Sequence, residues 1–119
     1  MQEYKYFKDS EVINLDVGLV KMLDQARELA GIPFIITSGF RTPGENAMAG
    51  GVKDSAHLKG IAVDLRCSSS RERFLILKGL FSVGFPRIGI YKNHIHADID
   101  VIKDLNVCWL EYKTLKYLL

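Results

Sequence analysis

Between Leu15 and Ala30 apolar residues recur at intervals of three and four: Leu15, Leu19, Met22, Leu23, Ala26, Leu29 and Ala30. That spacing predicts one face of an amphipathic helix, with Asn14 or Asp16 as N-cap and Gly31 as the stop. Beyond Pro33 the run Phe34-Ile35-Ile36-Thr37 is rich in β-branched residues and ends at Ser38-Gly39, the pattern of a short buried strand. Residues 41–56 are rich in glycine and small residues and read as a long loop, which in a small domain is a place to look for function. A second strand is expected at Ile61-Ala62-Val63-Asp64-Leu65. After it comes a helix capped in Ser68-Ser69-Ser70, with Phe74, Leu75, Leu77, Leu80 and Phe81 as its apolar face and Gly84 as its end. Arg87 to Tyr91 and Ile95 to Val101 read as a hairpin turning at Lys92-Asn93, and the tail from Cys108 to Leu119 reads as a final helix or strand, with a lean towards helix.

The order helix, strand, strand, helix, hairpin predicts an α+β fold, a small antiparallel sheet with helices packed on it. At 119 residues, without linkers or repeats, the chain reads as a single domain over 1–119. A net charge of +2 gives a slight lean towards anionic partners such as a bacterial wall. The basic residues are scattered among acids, which argues against a nucleic-acid partner. No apolar run reaches bilayer length and the charged N-terminus does not look like a signal peptide, so synthesis in a cytoplasm is expected. Cys67 and Cys108 are far apart and read as buried or free thiols, with a disulfide as the alternative.

All three histidines lie in two short stretches, Ser55 to Asp64 and His94 to Asp98. An isolated histidine at a loop–strand junction is commonly structural. Asp64 is harder to dismiss, because a carboxylate inside an apolar strand costs several kcal/mol unless it is paired, hydrogen-bonded or bound to metal. His94, His96 and Asp98 alternate, so they share one face of their strand. Imidazole and carboxylate donors suit a borderline-soft divalent cation such as zinc, and three protein ligands leave the open position that distinguishes catalytic from structural zinc.

Three segments also carry a resemblance. Ser55-Ala56-His57-Leu58-Lys59-Gly60-Ile61-Ala62-Val63-Asp64 resembles the Ser-x-His-x-x-Gly-x-Ala-x-Asp signature of the zinc D-alanyl-D-alanine carboxypeptidase and L-alanyl-D-glutamate endopeptidase family, whose fold is that of the Hedgehog signalling domain. Ser38-Gly39-Phe40-Arg41-Thr42-Pro43 is similar to that family's upstream segment. Ile95-His96-Ala97-Asp98, preceded by Gly89-Ile90-Tyr91, resembles the final histidine strand of its short phage and prophage members. The resemblance spans about residues 7 to 101 and implies one zinc ion held by His57, Asp64 and His96. It also implies Arg41 as the substrate-facing arginine that stabilises a carboxylate or oxyanion, and Ser55 as a local support in the substrate-binding loop. The substrate it implies is a peptidoglycan stem peptide, cut by a monomer that acts at the cell wall when released or carried by a phage particle.

The sequence departs from the family at Asn93. Many members carry a carboxylate three residues before the last zinc histidine as general base, and an amide cannot serve. Asp98, as base or as a carboxylate orienting a histidine, and His94, as acid, base or oxyanion partner, are the replacements. Asp100 continues the alternation and reads as solvated or structural, and Asp54 is given no role. Asn93 keeps a second function in play, a non-catalytic zinc module of Hedgehog-like fold. Arg41, His94 and Asp98 favour the enzyme, since a binding module does not need them around a metal.

Overall fold

The structure, a computed structural model, describes residues 4–111. Helix α1 spans Val17–Ala30. Its Asp16 cap accepts the Leu19 N–H at 3.0 Å, and Gly31 stops it in the left-handed conformation. Strand β1 is Ile36–Ser38 and strand β2 is Ala62–Arg66. Helix α3 (Ser70–Ser82) starts at the Ser69 cap, whose hydroxyl accepts the Glu72 N–H. Strands β3 (Arg87–Ile90) and β4 (His94–Asp98) form the hairpin, closed by the Tyr91 N–H bonded to the His94 carbonyl at 3.0 Å.

Two elements differ from expectation. The segment 41–56 holds a short helix, α2 (Pro43–Met48), with a reciprocal cap: Thr42 Oγ1 accepts the Glu45 N–H and the Glu45 carboxylate accepts the Thr42 N–H. The tail is not helical where the structure describes it. Val107–Leu110 is strand β5, paired in parallel with β3, and residues 112–119 of the expected helix lie outside the described residues. Backbone bonds from Val107 N to the Pro86 carbonyl and from Glu111 N to the Ile90 carbonyl anchor that strand. Without β5 the edge of β3 would leave donors and acceptors unpaired, and satisfying them outweighs the weak local preference for helix.

The sheet order is β1-β2-β4-β3-β5, antiparallel except at the β3–β5 pair. The expected α+β architecture is the one observed. Helices α1 and α3 cover one face. Leu19, Val20, Leu23 and Ala26 from α1 and Ile76 and Leu80 from α3 pack on Val63, Leu65, Ile88, Ile95 and Ala97 of the strands. Each of the valine, leucine and isoleucine side chains removed from water contributes about 1.5–3 kcal/mol.

The buried stripe of α3 keeps Leu77 and Leu80 of the expected face but not its two phenylalanines. Phe74 and Phe81 are exposed at 69% and 55%, and Ile76, Gly79 and Leu80 face inward. From Phe74 to Phe81 Lys78 is the single polar residue, so the period of this run does not choose a face. The α1 contact chooses it, because Gly79 sits where a Cβ would run into the Ala26 carbonyl. Gly79→Ala should therefore lower stability even though alanine favours helix by about 1 kcal/mol. A urea unfolding midpoint that stayed level or rose would contradict this close approach.

Candidate metal centre

The opposite sheet face carries the polar cluster. Register places Asp64 of β2 beside His96 of β4, His96 beside Gly89 of β3, and Gly89 beside Trp109 of β5. The face is roofed by the chain from Gly39 to Gly60. The Arg41 N–H donates to the His57 carbonyl at 3.1 Å and joins the two ends of this segment. His57 lies in a 3-10 turn (Ala56–Lys59), where Ser55 Oγ accepts the His57 N–H at 3.2 Å. Ser55, buried within the fold, thus positions the histidine.

Asp64 is 7% exposed, and its two oxygens have different neighbours. Around Oδ1 lie His96 Nδ1 at 3.1 Å, His57 Nε2 at 3.4 Å and His94 Nε2 at 3.8 Å. Oδ2 accepts from Arg41 Nη2 at 3.2 Å. Burial raises the Asp64 pKa, but the hydrogen bonds and charges of His57 and His96 outweigh it and hold the carboxyl well below its usual range.

The far side of each imidazole fixes what the near side offers. His57 Nδ1 lies 2.7 Å from the Gly39 carbonyl, which only accepts, so Nδ1 carries the proton and Nε2 presents a lone pair towards Asp64. His96 Nε2 lies 2.6 Å from Asp98 Oδ2, which turns its Nδ1 to Asp64. A histidine ligand that donates its other N–H to a carbonyl or carboxylate is the usual arrangement around a metal.

Asp98 is 1% exposed and fully engaged. Besides His96, it accepts the Asp100 N–H on Oδ1 at 3.0 Å. Arg87 Nε lies 2.9 Å from the same oxygen as an ion pair, without the alignment of a hydrogen bond. Burial raises the Asp98 pKa, while the His96 and Asp100 hydrogen bonds prevail and lower it. Burial alone would lower the pKa of His96. Its hydrogen bonds to Asp64 and Asp98 overcome that and raise it. Asp100, also 1% exposed, is tied to Lys59 at 3.2 Å and braces the strand end. Asp54 offers its backbone carbonyl to Lys103.

His94 stands apart. It lines the cleft with its side chain 33% exposed, and its ring stacks on Tyr91 at 4.4 Å and 9°. Burial lowers its pKa against the opposing pull of Asp64, which favours the neutral ring. Arg41 also lines the cleft, but its Nε donates to Ser38 Oγ and its Nη1 to Asn46 Oδ1. With the bond to Asp64, three of its five N–H groups are committed. Asn93 is exposed in the β3–β4 turn, where its carbonyl accepts the Cys67 N–H. Cys67 is buried, Cys108 is exposed, and both are free thiols.

Four contributors were not expected from the sequence. Asn46 is the buried residue of α2 and links Arg41 to the Val52 carbonyl. Arg87, Tyr91 and Trp109 form the β3–β5 side of the cleft. For Asn46 the Thr42-Pro43-Gly44-Glu45 capping pattern would have revealed the helix, though not the contact.

These groups frame a cleft of about 350 Å³ with His57, Asp64 and His96 at its floor. One donor atom from each of the three lies within 4.8 Å of the others. The 3.1 and 3.4 Å separations from Asp64 Oδ1 match the edge, about 3.4 Å, of a tetrahedron with bonds of about 2.1 Å. Two imidazoles and a carboxylate at the base of an open cleft therefore fit a zinc-type cation with a position left for substrate, the donor set of a metal-dependent hydrolase.

The Peptidase M15 family model matches residues 6–100, and the chain belongs to that family of zinc peptidases. No curated protein matches the chain significantly. Among the described residues no helix is long and apolar enough to cross a membrane.

The pKa shifts set a pH dependence for the metal-free protein. His96, raised above its ordinary 6.5, contributes stability that is full below that value and is lost as pH rises through the folded pKa. Asp98, lowered from its ordinary 3.8, contributes stability above that value that is lost as pH falls through the folded pKa. Chemical denaturation of chelator-treated protein should show maximal stability between these limits. A profile that is flat across both would contradict the network.

Proposed function

We propose that the chain is a zinc-dependent peptidase that hydrolyses an amide bond in peptidoglycan stem peptides, with His57, Asp64 and His96 as ligands to one zinc ion. The observation that carries this reading is the pair of imidazole nitrogens aimed at one oxygen of a buried carboxylate at the floor of an open cleft. A zinc ion there supplies Lewis-acid chemistry, polarising the scissile carbonyl and acidifying water.

The chain's own groups supply the rest. His94, neutral and facing the cleft, accepts a proton from the attacking water at Nε2 and delivers it to the departing amine nitrogen. The products are a carboxylate and an amine, with one water consumed. Asp98 has its lone pairs engaged by His96, Asp100 and Arg87, which supports its role as the carboxylate that orients His96 and not as the base. Arg41 holds Asp64 and keeps two N–H groups for a substrate carboxylate or the developing oxyanion. Ser55 supports His57 from below the substrate.

The bond is D-Ala-D-Ala or L-Ala-D-Glu. The charge of +2 and the family resemblance support a phage or prophage lysin that acts at the bacterial wall. Mass spectrometry of peptidoglycan fragments incubated with zinc-loaded protein tests the reading. A mass change absent with Asp64→Ala is expected, and the fragment masses name the bond. His94→Ala should lower kcat about 10²–10⁴-fold at unchanged zinc content. Asp98→Asn should weaken zinc binding about 10- to 100-fold. Folded, zinc-loaded protein that leaves every fragment intact would move the assignment to a non-catalytic zinc module.

A further inference from the structure

Strand β5 lies beyond residues 6–100, the span matched by the family, yet it places a side chain in the cleft. Cys108 and Leu110 of this strand are exposed. Trp109 lies on the other strand face, over Gly89, where a Cβ would stand 2.5 Å from the indole and only glycine fits. The indole is 5.5 Å from the His96 ring, and the Arg87 guanidinium lies 5.2 Å over it. Its Nε1 donates to the Tyr91 hydroxyl at 3.1 Å. Tyr91 in turn stacks almost parallel on His94, whose Nε2 is 3.8 Å from Asp64 Oδ1.

The chain of contacts has a direction. Tyr91 and His94 follow the last residue of β3 and open β4, where two short side-chain bonds leave each ring free to swing towards solvent. The hairpin bond fixes their backbones but not their rings. Within this set, the hydrogen bond from Trp109 is the contact that pins the Tyr91 ring from outside the hairpin. The indole is absent from the hydrophobic core cluster, so its contacts serve the cleft side of the sheet.

We propose that Trp109 is a positioning residue: through the Tyr91 hydroxyl it holds the Tyr91 ring against His94 and so sets the orientation of the His94 imidazole towards the Asp64–His96 centre. The catalytic consequence rests on the assignment of His94 as the proton-transfer group, whereas the orientation itself does not. A ring that samples other rotamers spends less time within reach of the reacting atoms, so the loss falls on kcat more than on KM.

The test uses zinc-loaded full chain and the variants Trp109→Phe, Tyr91→Phe and the double variant. Stacking at 4.4 Å should shift the His94 ring protons upfield in the NMR spectrum of the wild type, and both single variants should move them towards free-histidine positions. Each single variant should lower kcat about 3- to 10-fold at nearly unchanged KM and zinc content. The double variant should be no worse than either single one, because both remove the same hydrogen bond. In a His94→Ala background, Trp109→Phe should have no further effect on kcat. His94 signals that stay put in both variants, or additive losses that persist without His94, would overturn the proposal. Shifted His94 signals in a protein that cleaves no peptide would instead leave the positioning intact and remove the peptidase reading.

Discussion

Burying a carboxylate in the middle of a β-sheet removes it from water at a cost of several kcal/mol, and such a group persists only where other groups replace the lost hydration. Asp64 is that group, one residue from Val63 and Leu65 in the helix-packed core. Its replacement partners arrive from two separate parts of the chain: Arg41 and His57 from the segment over the sheet, and His94 and His96 from the neighbouring strand. Remove the carboxylate and these groups become a knot of nitrogen donors and lone pairs with nothing at its centre. The loop geometry, the tautomer of His57 and the contact of Asp98 with His96 all gain their sense from it.

Sheet alternation lets one layer serve two tasks. Odd positions of β2 and β4 (Val63, Leu65, Ile95 and Ala97) feed the core beneath the helices. Even positions (Asp64, His94, His96 and Asp98) face the cleft. A single-residue slip between β2 and β4 would exchange core for site, and the fully buried apolar face forbids that slip. The same packing that stabilises the fold therefore holds the donor atoms in register. The segment above the sheet is secured differently, by the Thr42–Glu45 cap, the Arg41–His57 backbone bond and buried Asn46.

The site was more legible in the sequence than its surroundings. Asp64 announced itself as a charge within an apolar strand, and His94, His96 and Asp98 as an alternation, since both signals are local. The resemblance then joined His57 and Arg41 to them, and the structure brings all these residues to one cleft. Contacts decided in three dimensions were not legible. Tyr91 and Trp109 meet across 18 residues of sequence, and no local pattern marks that pair. The tail from Cys108 was read as helix because a short apolar run fits either state, and pairing with β3 decides it. In α3, the nearly unbroken apolar run from Phe74 to Phe81 hid the stripe that packs against α1. The capping box at Thr42 was visible, but the small residues around it obscured the helix.

The buried carboxylate and its two imidazoles stand or fall together as one metal site. The direct measurement is an anomalous-diffraction map recorded at the zinc edge from crystals of the zinc-loaded protein. A single strong peak is expected about 2.0–2.2 Å from His57 Nε2, Asp64 Oδ1 and His96 Nδ1. A peak at Cys67 or Cys108, or none in the cleft of protein shown to be folded and zinc-saturated, would contradict it.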